Sequence, residues 1–346
     1  MIRVDFNDPI HVHFIGIGGI SMSGLAQILL DRGFPISGSD ALPSDITDEL
    51  IRKGAKISFP QSADNITDDI DLVVYTAAIH PDNPEFAAAK EKGLHMLTRA
   101  QLLGQIMEHY SESVSIAGTH GKTTTTGMCG QIMLESGKQP TISIGGIFPA
   151  IGGNIHVGDS DLFVTEACEY TNSYHEFYAK YAIILNIEED HMDFFHDLED
   201  IRSSFRRFAH LLKPDGVLVI GGAIEDLPYF TDGLEARVVT FGLTRECMFR
   251  AENITYQMNA CAGFDLVVQD QRIGHVQLKI PGEHNVLNAL AAIAAADFTA
   301  SSKEPRRSTR PIAIARFPLH TLPSPIALIE SCDKLRPSAQ RRVNWS

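Results

Sequence analysis

"SIAGTHGKTTTTGM", residues 115–128, runs from an apolar segment through two glycines to a lysine and four consecutive threonines. Small residues let backbone N–H groups converge on an anion. A helix starting behind them adds the positive end of its dipole. A lysine then reaches the β- and γ-phosphates of a nucleotide, and a hydroxyl holds Mg²⁺. Gly118, Gly121, Lys122 and Thr123 supply these parts, with a strand over 114–117 before them and a helix over about 123–136 behind. The common phosphate loop has four residues between its glycines; here there are two. Four β-branched threonines are a poor helix start on propensity alone, so a ligand-binding loop explains them better than a plain turn.

Downstream, "TISIGGI", "DLFVTEA", "YAIILNI" and "GVLVIGG" are apolar and strand-like, with helical or loop segments between most of them. They predict a mostly parallel α/β sheet running to the helix "HNVLNALAAIAAA". Strand ends in such a sheet deliver side chains to the edge that carries the loop. Glu166 stands at one such end, where a carboxylate can hold Mg²⁺ or merely cap a helix. Glu188, Glu189, Asp190, His191 and Asp193 follow another; acids flanking a histidine suit a metal site or a solvated turn. In "PGEHNVLNALAA", Asn285 and Asn288 share a helix face. Their amides can read an adenine edge or cap the helix, and the residues leave both open.

Upstream, "HVHFIGIGGISMSGLAQILLDRG" reads as strand, glycine turn and helix, and "PISGSD" and "DLVVYTAAI" as further strands. This is the opening of a doubly wound, Rossmann-like unit ending in "TRAQLLGQIMEHY". Gly16, Gly18 and Gly19 approximate G-x-G-x-x-G, with Ser21 at the third glycine position and Asp40 where a ribose-binding acid would sit. A nucleotide diphosphate fits; NAD or another nucleotide is not decided here.

The chain has 346 residues, 44% hydrophobic and 21% charged, as in ordinary globular proteins. A net charge of −14 argues against nucleic acid. No stretch predicts a membrane span, and the N-terminus lacks a signal-peptide pattern. Five scattered cysteines suit a reducing cytoplasm. From residue 301 onward, nine basic residues face three acidic ones, and six of the 17 prolines fall there. We expect residues 1–108 to form the first unit, 109–300 the second, and 301–346 a poorly structured tail.

The set "HVHFIGIGGISMSGLA", "GSD", "VVYTAAI", "GTHGKTTTT", "FVTEACEY", "LNIEEDHMD" and "PGEHNVLNALAAIAA" resembles the Mur ligases, in order, from about residue 10 to about 300. In that family the short "GTHGKT" loop is the ATP loop, and the first domain binds a UDP-sugar despite its dinucleotide look. The resemblance implies ATP-dependent ligation of L-alanine to UDP-N-acetylmuramate through an acyl phosphate, in cytoplasmic peptidoglycan precursor synthesis. It implies ATP contacts from Gly118, Thr119, His120, Gly121, Lys122, Thr123, Thr124, His284, Asn285 and Asn288. Thr123 and Glu166 would hold one Mg²⁺, and His191 would help hold a second metal. Gly16, Gly18, Gly19, Ser21 and Asp40 would face the UDP-sugar. Lys122, Glu166 and His191 would carry the catalysis. Some relatives carry a carbamylated lysine after the histidine; no lysine occurs here between His191 and Lys213. Full-length relatives continue well beyond the last motif into a third α/β domain. The composition break near 301 therefore reads as a truncation or frameshift, and we expect a chain that binds nucleotide and UDP-sugar but ligates alanine poorly. A non-catalytic binding fragment, a murein peptide ligase and an NAD oxidoreductase are the competing functions.

Overall fold

The computed structural model describes residues 2–258 and 260–301. The expected tail beyond Ser301 lies outside them.

The first unit comprises β1 (Val12–Ile15), α1 (Ile20–Asp31), β2 (Ile36–Ser39), α2 (Asp45–Arg52), β3 (Lys56–Ser58), β4 (Leu72–Tyr75), α3 (Pro84–Glu91), β5 (His95–Thr98) and α4 (Arg99–Glu108). Its sheet is parallel throughout, in the order β3-β2-β1-β4-β5. The chain turns one way from β1 to β2 and the other way to β4. That opens a crevice beyond the carboxyl ends of β1 and β4, where open α/β sheets take ligands. The apolar run "DLVVYTAAI" was expected to be strand to its end; β4 stops at Tyr75, and Thr76 and Ile79 close a turn through a 3.0 Å backbone hydrogen bond. Local signals set the helix starts. Thr98 and Gln101 form a capping box at α4, and Ser44 and Thr47 one at α2.

The second unit holds β6 (Glu112–Ala117), α5 (Lys122–Glu135), β7 (Thr141–Phe148), β8 (Gly153–His156), β9 (Leu162–Glu166), β10 (Tyr181–Ile184), α6 (Leu198–Ala209), β11 (Val217–Gly221), α7 (Leu227–Thr231), β12 (Arg237–Gly242), β13 (Phe249–Tyr256), β14 (Cys261–Val268), β15 (Gln271–Pro281) and α8 (His284–Ser301). The ten strands lie in the order β15-β14-β13-β12-β11-β10-β6-β9-β7-β8. The run from β7 to β13 is parallel, as expected, while β8 at one edge and β14 and β15 at the other are antiparallel.

Register decides what meets at the loop. Ile116 pairs with Glu166 and Ala117 with Ile184. β6, β9 and β10 therefore end level, and the segments leaving them emerge side by side. Behind the sheet, α5 and α8 lie against each other, with Cys129 Sγ 3.7 Å from the Ala292 carbonyl oxygen. Buried alanines from Ala289 to Ala296 allow that close approach. The opposite face shares a continuous core with the first unit, including Leu102, Leu103, Tyr174, Phe177 and Phe205. α4 packs there on a 3₁₀ turn, Tyr170–Glu176.

Candidate active site

The phosphate loop is held from β10. Thr119 N donates to the Asn186 carbonyl at 3.2 Å, and His120 N to Asn186 Oδ1 at 2.8 Å. Asn186 Nδ2 returns a bond to the His120 carbonyl at 3.1 Å. Gly118 (φ 147) and Gly121 (φ 87) take backbone conformations that L side chains avoid. Space is short as well: a Cβ on Gly121 would stand 2.5 Å from Asn288 Oδ1. The loop opens into α5 at Lys122, one residue earlier than expected. The first-turn N–H groups of α5 have no partner within the helix, which is what an anion requires. Lys122 curls across the loop, its Nζ 2.6 Å from the Gly118 carbonyl, 3.1 Å from that of Thr119 and 2.9 Å from Glu169 Oε1.

Two carboxylates leave β9 toward this lysine. Glu166 accepts from Thr123 Oγ1 at 3.0 Å and from Gly145 N at 2.6 Å. Burial pushes its carboxyl up; the Gly145 amide, the Thr123 hydroxyl and Lys122 pull it back in part, and neighbouring Glu169 adds to the rise. Glu169 is buried, and its Oε2 has no hydrogen-bond partner among the described residues. Glu169, Asp190 and His191 can bring one ligand atom each within 4.8 Å of the others. His191 Nε2 stands 3.7 Å from Glu169 Oε1, and the Tyr170 ring lies 4.8 Å from the imidazole.

The predicted metal residues thus fall into two neighbouring sets. Thr123 lies with Glu166, and His191 lies with Glu169 and Asp190, Lys122 sitting at the boundary. An orphaned buried carboxylate oxygen and a mostly oxygen donor set fit a hard divalent cation. Cys168, between the two glutamates, has its thiol pushed up by burial and is a poor nucleophile.

The remaining predicted residues are spread more widely. Asn285 and Asn288 are buried; Asn288 Nδ2 donates to Asn285 Oδ1 at 3.0 Å, and Asn285 Nδ2 to the Pro281 carbonyl at 2.7 Å. They brace the start of α8 against Gly121. His284 is exposed, as is His120, whose Nε2 lies 3.7 Å from Glu188 Oε2. Thr124 is half-buried on the first turn of α5. In the first unit, Gly16 N donates to the Ser39 carbonyl at 2.9 Å and Gly18 N to Asp40 Oδ2 at 2.8 Å. Gly19 and Ser21 lie exposed at the start of α1. These residues form a glycine turn on the other sheet, apart from the phosphate loop, with the Gly16, Gly18 and Gly19 amides bonded to Ser39, Asp40 and Gly16.

Glu169 and Asn186 were not singled out from the sequence. Glu169 lies three residues past its strand, ahead of a turn in which Thr171 and Asn172 are left-handed. No propensity signals such a turn. Its one legible trace was a second glutamate after Glu166 in "TEACEY".

Residues 11–111 match the Mur ligase family catalytic domain and residues 116–296 the Mur ligase middle domain. The chain belongs to the Mur ligase family. Among relatives, a UDP-N-acetylmuramate–L-alanine ligase of Agathobacter rectalis is 56% identical over 294 residues, covering 85% of this chain and 64% of the relative. One of Caldanaerobacter subterraneus is 47% identical over 293 residues, with the same coverage of each. A solved UDP-N-acetylmuramate–alanine ligase from Thermotoga maritima superposes with a TM-score of 0.72 at 32% identity, covering 85% of this chain and 66% of that one. A UDP-N-acetylmuramate:L-alanyl-gamma-D-glutamyl-meso-diaminopimelate ligase from Neisseria meningitides gives 0.75 at 26%, covering 88% and 100%. This Mur ligase chain spans 64% of the length of those curated relatives. No helix among the described residues is long and apolar enough to cross a membrane.

Proposed function

We propose that this chain carries the ATP- and sugar-nucleotide-binding parts of a ligase that joins L-alanine to UDP-N-acetylmuramate in peptidoglycan precursor synthesis, in the cytoplasm. The observation that carries the proposal is the pairing of Lys122 with Glu169 and of Thr123 with Glu166 beside a phosphate loop, in a chain 56% identical to a ligase of that name. A carboxylate is a poor electrophile because its oxygen is a bad leaving group. Its oxygen attacks the γ-phosphorus of ATP, ADP leaves, and an acyl phosphate forms. The alanine amine then attacks the acyl carbon, phosphate departs, and the amine gives up a proton.

The first step brings two anions together, so charge compensation is its main requirement. Lys122 would release the Glu169 carboxylate to follow the β- and γ-phosphates. The first turn of α5 would hold the phosphates by backbone N–H groups, and Asn186 would keep the loop from opening. Thr123 and Glu166 would hold one Mg²⁺, and Glu169, Asp190 and His191 a second cation. When bound, these ions neutralise phosphate charge and orient the oxygens. Gly16, Gly18, Gly19, Ser21 and Asp40 would receive the sugar nucleotide at the other sheet.

The test is trapping. The chain is incubated with Mg-ATP, UDP-N-acetylmuramate and hydroxylamine, and hydroxamate is measured. Hydroxamate and ADP that depend on the sugar nucleotide support the proposal. Binding of ATP and sugar nucleotide with no hydroxamate removes the phosphoryl-transfer step, and binding of neither overturns it entirely. Offering L-alanine or L-alanyl-gamma-D-glutamyl-meso-diaminopimelate as the acceptor then separates the two ligase activities.

A further inference from the structure

Arg99 has no task in the chemistry above. It is the first residue of α4, one position past the carboxyl end of β5, on the sheet edge where the first unit's crevice opens. The capping box fixes the helix start, Thr98 N donating to Gln101 Oε1 at 3.0 Å and Gln101 N to Thr98 Oγ1 at 3.2 Å. Helix α4 then runs onto the 3₁₀ turn that follows Glu169, with Gly104 pressed on the Glu176 backbone. Arg99 therefore stands where the crevice of one sheet meets the carboxylates of the other. Burial pushes its guanidinium pKa down, and interactions with Cys168 and Glu166 draw it back in part. Buried Arg250 is paired with Glu252 and Asp270, and half-buried Arg202 with Glu199 and Asp226. Among the described residues, the Arg99 side chain has neither a hydrogen bond nor an ion pair. A guanidinium offers five N–H donors, and Arg99 is half-buried, so its charge is partly withdrawn from water without a partner in exchange. An anion entering the junction would supply what the chain does not.

We propose that Arg99 binds the carboxylate of the sugar nucleotide, receiving both oxygens in its planar fork and presenting them toward the phosphate loop. The fork matches a carboxylate in a way that a lysine does not. This rests on the ligase function proposed above and names the residue that would select a sugar nucleotide bearing a carboxylate.

Equilibrium binding of two ligands to the full chain tests it: UDP-N-acetylmuramate, and UDP-N-acetylglucosamine, which lacks the carboxylate-bearing ether. Arg99→Gln is expected to bind the first at least about tenfold more weakly and the second within about twofold of the unaltered chain, with Mg-ATP binding unchanged. Arg99→Lys is expected to lose about threefold for the first ligand alone, since charge remains without the fork. A preference preserved in Arg99→Gln overturns the proposal, as does equal weakening of both ligands. Should Arg99→Gln fold poorly, the selective loss in Arg99→Lys decides. Binding of neither ligand by the unaltered chain would overturn the ligase function itself, and the role of Arg99 with it.

Discussion

Gly104→Ala reverses the usual effect of placing alanine in a helix. In mid-helix, alanine gains about 1 kcal/mol over glycine. At Gly104 a Cβ would stand 3.0 Å from the Glu176 carbonyl carbon and closer still to its oxygen. That neighbour is backbone and cannot rotate away. The turn carrying it is anchored by buried Tyr174, whose hydroxyl meets Ser204 at 2.8 Å, and by Phe177. Helix α4 must therefore retreat, at the upper end of the roughly 1–3 kcal/mol typical of overpacking. Against the propensity gain, the net is about 2 kcal/mol of destabilisation. Gly127→Ala in α5 is the control. Its Cβ would find Ile144 Cδ1 at 3.6 Å and Phe148 at 3.9 Å, ordinary contacts, so it should gain about 1 kcal/mol. Urea unfolding of both variants reads the difference as a lowered midpoint for the first and a raised one for the second, at unchanged slope. A Gly104→Ala chain as stable as the unaltered one would refute the close docking of α4 on the turn.

Gly121→Ala should weaken Mg-ATP binding by at least about tenfold, because a left-handed alanine costs about 1–2 kcal/mol and its Cβ displaces Asn288; unchanged affinity in a nucleotide titration would contradict the loop geometry. Thr123→Val removes the hydroxyl that meets Glu166 and should raise the Mg²⁺ concentration needed for ATP binding several-fold, measured by titrating the metal at fixed ATP. Burial pushes the Asp297 carboxyl on α8 up to about 6. The folded chain then binds that proton more tightly than the unfolded one, so stability falls as pH rises from about 4 to about 6 and is level above. Asp297→Asn should remove this slope and gain about 2 kcal/mol at pH 7, allowing for solvent screening; urea midpoints matching the unaltered chain at pH 5 and pH 7 would contradict it.

Much of this architecture was legible because burial on both faces makes a parallel strand a continuous apolar run. "YAIILNI" and "GVLVIGG" are such runs, and they became β10 and β11. Glycines at Gly118 and Gly121 marked the loop because other residues there meet both strain and Leu185 or Asn288. The strands β13 to β15, joined by antiparallel ladders, were not read. β13 and β15 mix exposed polar with buried apolar residues around the buried β14, and bulges interrupt both ladders. Glu169 was missed because its position depends on a left-handed turn held by Asn172 and Ser204. Arg99 was missed because its setting depends on how two sheets dock. For Asn285 and Asn288, bracing α8 and facing a nucleotide are compatible, which is why residue chemistry alone left them open.

Lys122 and the turn behind it are proposed to grip a triphosphate. Titration of Mg-ATP into the unaltered chain and into Lys122→Ala tests it most directly. One charge-assisted contact of about 1.5–3 kcal/mol predicts affinity lowered by roughly 10- to 100-fold in the variant. Equal affinity in the two chains would contradict it.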